Sequence, residues 1–192
     1  QDKANAQMQE DWFVKDGVIG FQGEGYNNIC TIKDYGDFEM LVDWKITHGG
    51  DSGIYLRGTP QVQIWDTART DVGAEVGSGG LYNNQENTSK PLVVADNPIN
   101  EWNTFRIKMV GERVTVHLNG KLVTDNVVLE NYWDRDRAIF AKEAIELQAH
   151  GEDLGFRNIY VREIQSGNEL LSSEEQKEGF QSLFNGKDLD HW

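Results

Sequence analysis

The sequence predicts an all-β fold, an antiparallel sandwich or jelly roll. Three observations carry this. From Trp12 onward, short runs of alternating apolar and polar residues follow one another, separated by clusters of Gly, Asn and Asp. Tight-turn signals join several runs: Lys15-Asp16-Gly17, Val110-Gly111-Glu112 and, strongest of all, Asn119-Gly120. No long amphipathic helix interrupts the series, which argues against a parallel β/α arrangement.

The predicted strands, in order, are 12–15, 18–22, 28–32, 37–47, 52–57, 61–65, 103–110, 113–118, 121–124, 144–149 and 156–164. Residues 3–10 are good helix formers and read as the end of a helix. The stretch from about 66 to 101 is long, irregular and rich in Gly, Asn and Asp; loops of that length in a compact domain carry function or are disordered. The β domain, residues 1–164, ends near Ile164. Residues 165–179 read as a linker with a short helix, in which Ser172 and Glu175 form a capping box and Gly179 is the stop. Residues 180–192, FQSLFNGKDLDHW, read as a further strand segment.

Composition narrows the partners. A chain of 192 residues suffices for one sandwich domain and a short appendage. Its net charge of −14 opposes both nucleic acid and an anionic membrane surface, and leaves a neutral ligand open. No run approaches the roughly 18 apolar residues of a membrane-spanning helix. Cys30 is the only cysteine, so an internal disulfide is excluded; it is expected to be a buried small hydrophobe.

Side chains on a strand alternate between faces. In 37–46 the apolar set is Phe38, Met40, Val42, Trp44 and Ile46. In 52–57, Ile54 and Leu56 point inward, leaving Tyr55 and Arg57 outward. In 61–65, Val62 and Ile64 point inward, leaving Gln61, Gln63 and Trp65. In 145–150, Ile145, Leu147 and Ala149 point inward, leaving Glu146, Gln148 and His150. The outward sets hold amides, aromatics, an Arg and a His where a plain solvated face favours Lys, Glu, Thr and Ser. They suit a polar ligand platform if the strands are adjacent: amides and Arg hold hydroxyls, and Trp and Tyr stack on a sugar ring. Each residue also has a plainer reading. Arg57 pairs with a carboxylate on the next strand, His150 caps a strand end, Glu146 is a solvated strand residue, and Asp66, Asp51 and Ser52 are turn residues.

Several motifs are absent. HExxH and CxxC do not occur, so a zinc site is not signalled. Neither a GxSxG elbow nor a phosphate-binding loop occurs. Conventional glycoside hydrolysis uses two carboxylates flanking the bond, and the Glu-x-Asp-x-x-Glu spacing of sandwich-type glucanases is missing.

Many runs nonetheless match one family in order: WFVKDGVI (12–19), YGDFEMLVDWKI (35–46), GGDSGIYLRGTPQVQIWD (49–66), GSGGLYNN (77–84), KPLVVADNP (90–98), EWNTFRIKMVGERVTVHLNGKLV (101–123), ENYWDR (130–135) and IELQAHGEDLGFRNIYVREI (145–164). Residues 11–164 resemble the 3-keto-disaccharide hydrolase family. The resemblance implies a concanavalin A-like jelly roll and a periplasmic or exported protein. It also implies a saccharide substrate already oxidised to a ketone at C3.

Such a substrate accounts for the missing carboxylate pair. The ketone acidifies the C2 hydrogen, a base removes it, and the C1 substituent leaves by elimination; water then adds to the product. This needs a base near C2, a donor or cation near the C3 oxygen, and an acid for the leaving oxygen. The candidates are His150 or Glu146 as base, Arg57 and Gln63 at the oxyanion or hydroxyls, and Asp66 as acid or metal ligand. Trp65 and Tyr82 are the candidate platform, with Tyr55, Gln148 and Asp51 as further substrate contacts. A divalent metal ion is an alternative electrophile. A non-catalytic carbohydrate-binding module and a conventional glycoside hydrolase are the competing readings.

One departure stands out. Family members begin with a segment like F-x-S-L-F-N-G-K-D-L-x-x-W, which here lies at 180–192. The tail begins a second domain, folds back to complete the sandwich, or enters another copy to give a strand-exchanged homo-oligomer.

Overall fold

The computed structural model describes residues 11–22, 25, 26 and 28–164. The expected helix end over 3–10, the linker and the tail segment lie outside the described residues. The strands are β1 (Trp12–Lys15), β2 (Val18–Phe21), β3 (Ile29–Cys30), β4 (Phe38–Ile46), β5 (Asp51–Leu56), β6 (Thr59–Trp65), β7 (Asn103–Val110), β8 (Arg113–Leu118), β9 (Lys121–Val128), β10 (Glu146–Leu147) and β11 (Leu154–Glu163). They form two antiparallel sheets, a seven-stranded one ordered β1-β2-β11-β4-β7-β8-β9 and a four-stranded one ordered β3-β10-β5-β6.

Alternation builds the core between them. In β4, Phe38, Met40, Val42, Trp44 and Ile46 are all buried. On β7 and β8, Phe105, Ile107, Met109, Val114, Val116 and Leu118 are fully buried, while Thr104, Arg106 and Lys108 between them are exposed. The smaller sheet meets this layer with Ile54, Leu56, Val62, Ile64 and Leu147. Each such side chain contributes about 1.5–3 kcal/mol by leaving water.

The turns follow their residues. Asp16 and Gly17 both have positive φ (52° and 77°), as the turn between β1 and β2 requires. Arg57 and Gly58 (φ 50° and 65°) do the same between β5 and β6, where Leu56 pairs with Thr59. This corrects the expected strand 52–57: it ends at Leu56, and Arg57 leaves the alternation because its backbone is left-handed.

A second correction concerns Cys30, which is exposed. Ile29 is in register with Leu147, on the core side, so Cys30, opposite Glu146, takes the outward side.

Strand β6 is buried along its whole length. Its inner face meets the core, and part of the irregular stretch seals its edge. Gly79 donates to the Gln63 carbonyl (2.8 Å), Gln63 donates to the Gly80 carbonyl (3.0 Å), and Leu81 bridges to Val62. Covering an edge in this way limits pairing with another chain.

Candidate active site

Strands β10, β5 and β6 are neighbours, so their outward residues share one surface. Register arranges them in rows. Glu146 lies beside Tyr55. Gly53 pairs with Gln63, and the Gln148 N–H donates to the Gly53 carbonyl (2.9 Å), which puts Gln148, Gly53 and Gln63 in one row. Asp51 pairs with Trp65 in the next. The residue without a side chain thus sits between two glutamines.

Over these rows opens a cleft of about 370 Å³. Its lining takes Asp51, Tyr55, Pro60, Gln61, Gln63, Trp65, Gln148 and His150 from the sheet and its ends, and Val72, Tyr82, Asn83, Tyr132 and Trp133 from loops. This size suits a small ligand.

Polar side chains are held in fixed orientations. Gln61 donates to Gln63 through their side-chain amides, and Gln63 Nε2 donates to Asp51 Oδ1 (2.7 Å). Arg69 completes the chain by pairing with Asp51 (3.7 Å). Gln61 Oε1 and Gln148 Oε1 are buried with no hydrogen-bond partner among the described residues, so two acceptors of the wall residues lack donors there. Trp65 donates from its indole to the Gly77 carbonyl (2.9 Å) and meets Tyr82 edge-on at 5.2 Å. His150 packs edge-on against Tyr26 at 4.7 Å.

Two groups on this face hold their protons more tightly than usual. Burial pushes the Glu146 carboxyl up; the Asn28 amide, 3.5 Å away, pulls the other way, and nearby Glu143 adds to the rise. Burial likewise pushes the Tyr55 phenol up, against the hydrogen bonds from Asn28 and Gln148. Perturbed carboxyls beside clefts are a mark of acid–base sites.

Of the sequence candidates, Asp51, Tyr55, Gln63, Trp65, Tyr82, Gln148 and His150 line the cleft, and Glu146 stands next to Tyr55 on the same face. Arg57 and Asp66 lie elsewhere. Arg57 is buried, donating from Nε to Met109 Sδ (3.3 Å) and from Nη1 to the Ala141 carbonyl (3.0 Å), with Asp37 at 4.0 Å. The left-handed turn sends it away from the platform. Asp66 is buried and accepts from His48 Nδ1 (2.7 Å), Gly49 N (2.9 Å) and Ala68 N (2.9 Å). Although burial alone would raise it, these bonds hold its carboxyl below the usual range, and it fixes the turn there, outside the cleft lining. Among the described residues no group of three or more His, Cys, Asp or Glu converges.

The residues given roles from the sequence did not include Gln61, Asn83, Tyr132 or Trp133. Gln61 shares the period-two pattern of Gln63 and Trp65 and was legible as outward. The loop residues follow no periodicity that points to a face.

The sequence pattern of the 3-keto-alpha-glucoside-1,2-lyase-like domain family matches residues 1–162. The chain belongs to this family. A 3-keto-disaccharide hydrolase of Bacteroides thetaiotaomicron is 24% identical over 205 residues, covering 79% of this chain and 69% of the relative. A candidate glycosyl hydrolase of Parabacteroides distasonis, known as a crystal structure, superposes with a TM-score of 0.65 at 26% identity, over 81% of this chain and 91% of that one. A carbohydrate binding module of Bacillus subtilis shares the fold, with a TM-score of 0.53 at 13% identity over 79% of this chain and 90% of its own. Family membership makes this a carbohydrate-active, hydrolase-like domain.

In this family member Gly53 makes room for the amide network. A Cβ there would meet Gln61 Cδ at 2.7 Å and Oε1 at 2.8 Å. Those atoms end a flexible side chain, so Gly53→Ala is expected to move Gln61 rather than the strand. The melting temperature should stay within about 2 °C, equivalent to less than ~1 kcal/mol. Saccharide affinity measured by calorimetry should fall about tenfold, or ~1.4 kcal/mol. Unchanged affinity would show that Gln61 does not contact the ligand.

Proposed function

We propose that the domain cleaves glycosides carrying a ketone at C3, by elimination across C1–C2 followed by hydration. The observation that carries this reading is one sheet face on which His150 and Tyr55 line a cleft of amides and aromatic rings and Glu146, its carboxyl raised by burial, stands beside Tyr55. The cleft lining includes a single carboxylate, Asp51, already engaged by Gln63 and Arg69. Such a lining supports a base and a separate proton donor better than a flanking carboxylate pair.

His150 takes the C2 proton, and the electrons move onto the C3 oxygen as an enolate. An amide N–H meets that charge, and Asn83 beside Tyr82 is the candidate donor. The enolate re-forms the ketone as the C1–O bond breaks, and Glu146, with Tyr55 beside it, gives its proton to the leaving oxygen. Water then adds across C1=C2: its hydroxyl goes to C1, Glu146 takes back a proton, and His150 returns one to C2. The sum is one glycoside plus one water giving an alcohol and a free 3-keto sugar.

Release of a chromogenic alcohol from the 3-keto-glycoside but not from its unoxidised parent is the expected result. Release from the parent would point to an ordinary glycosidase, and release from neither to a binding module. The role of Glu146 has its own signature. Glu146→Gln should slow release of a simple alcohol about 100-fold, while 4-nitrophenolate, which leaves without a proton, should depart almost as fast as before. In the unsubstituted enzyme, alcohol release should fall on the alkaline side as Glu146 ionises, at a pH above the ordinary Glu value of ~4.3. Equal slowing of both leaving groups would remove Glu146 from the acid role.

A further inference from the structure

We propose that Tyr132 and Trp133 are the residues that seat the departing ring of a two-ring glycoside, a second sugar subsite beside the first. The inference rests on the saccharide reading above and extends it to the half of the ligand that reading leaves unplaced.

Both side chains are well exposed, Tyr132 at 44% and Trp133 at 61%, and both line the cleft. Exposure of this kind normally goes with mobility, yet Trp133 is pinned. Its indole N–H donates to the Gly58 carbonyl (2.8 Å), and its backbone N–H donates to Oδ1 of buried Asn131 (3.0 Å). Asn131 is itself tied to the Ala138 carbonyl (3.1 Å). Tyr132 packs edge-on against Trp133 at 4.9 Å, and the Arg135 guanidinium stands 5.4 Å over its ring. Arg135 in turn pairs with Glu130 (3.0 Å) and donates to the Asn83 carbonyl (2.9 Å). An apolar pair held open to water by this many bonds forgoes burial it could have had. A rigid exposed platform loses little entropy when a ring stacks on it.

Position assigns the ring. Trp133 is bonded to Gly58, just before β6, whereas Trp65 ends that strand and meets Tyr82 there. Seven residues at ~3.3 Å each span about 20 Å, more than one pyranose. His150 belongs to the Trp65 end, two residues beyond Gln148, and Glu146 to the Tyr55 end nearer Gly58. The oxidised ring therefore lies at the Trp65 end, against the exposed ring of Tyr82, with C2 toward His150. The leaving ring lies at Tyr132 and Trp133, with the glycosidic oxygen between them toward Glu146.

The test uses two probes that cannot be cleaved. One is a 3-keto glucose joined by a CH₂ link to a second glucose; the other is the same 3-keto ring bearing only a methyl group. Calorimetry on the whole chain should find the two-ring probe bound about tenfold tighter than the one-ring probe. Trp133→Ala and Tyr132→Ala should each erase most of that preference while leaving one-ring affinity within twofold. Trp133→Phe, which keeps a ring face, should restore part of it. Tyr82→Ala should weaken both probes alike. Retention of the preference in Trp133→Ala and Tyr132→Ala, with both proteins folded by circular dichroism, overturns the subsite alone. Loss of one-ring affinity in both variants also overturns it, because the pair would then serve the first ring. Failure of the unsubstituted chain to bind either probe overturns the saccharide reading and the subsite with it.

Discussion

Replacing His150 with Ala is expected to slow release from a 3-keto-glycoside about a thousandfold, within the range of 10²–10⁴ for a lost general base. His150 lines the cleft, and its ring is steadied by the edge of Tyr26. The rest of the lining offers amides, the phenols of Tyr55, Tyr82 and Tyr132, and Asp51, which is committed to Gln63 and Arg69. Affinity for the non-cleavable one-ring probe should stay within a few-fold, because stacking and amide contacts survive. The loss should therefore appear in kcat. A variant that turns over within threefold of the parent would remove His150 from the base role.

Asp66→Ala is expected to lower stability by about 2–4 kcal/mol while sparing chemistry per folded molecule. The carboxylate accepts from His48, Gly49 and Ala68, and its removal strands two backbone N–H groups where β6 enters the long loop. The melting temperature should drop by roughly 5–12 °C for a domain of this size. The pH dependence has a defined sign. The folded carboxyl sits below its ordinary value, so its stabilisation is complete above the unfolded pKa of ~3.9 and fades as pH falls through the lower folded value. Urea melts at pH 7 and at progressively lower pH should show the difference between parent and variant shrinking. A variant as stable as the parent but inactive would return Asp66 to the catalytic group.

The two aspartate readings illustrate what the sequence could and could not say. Period-two alternation marked the core, and Phe38, Met40, Val42, Trp44 and Ile46 on β4 are buried as that pattern requires. It also put Tyr55, Gln63, Gln148 and His150 on one parity, and strand adjacency then brought them to one cleft. Parity fails once a strand ends. Arg57 was counted with Tyr55, but the turn at Arg57-Gly58 rotates it into the protein toward Met109. Cys30 looked apolar by its neighbours, yet it belongs to a two-residue edge strand whose inward position Ile29 already fills. Tyr132 and Trp133 lie in a loop, where no period assigns a face. Their place at the cleft comes from distant partners such as Gly58, invisible in a local pattern.

The most direct test of the account is whether the C2–H bond breaks. Leaving-group release would be followed under single-turnover conditions from two 3-keto-glycosides, one with protium at C2 and one with deuterium. Elimination by His150 predicts slower release from the deuterated substrate. Equal rates, with the deuterium fully retained at C2 of the released sugar, would mean that the C1–O bond breaks without C2 chemistry and would contradict the mechanism.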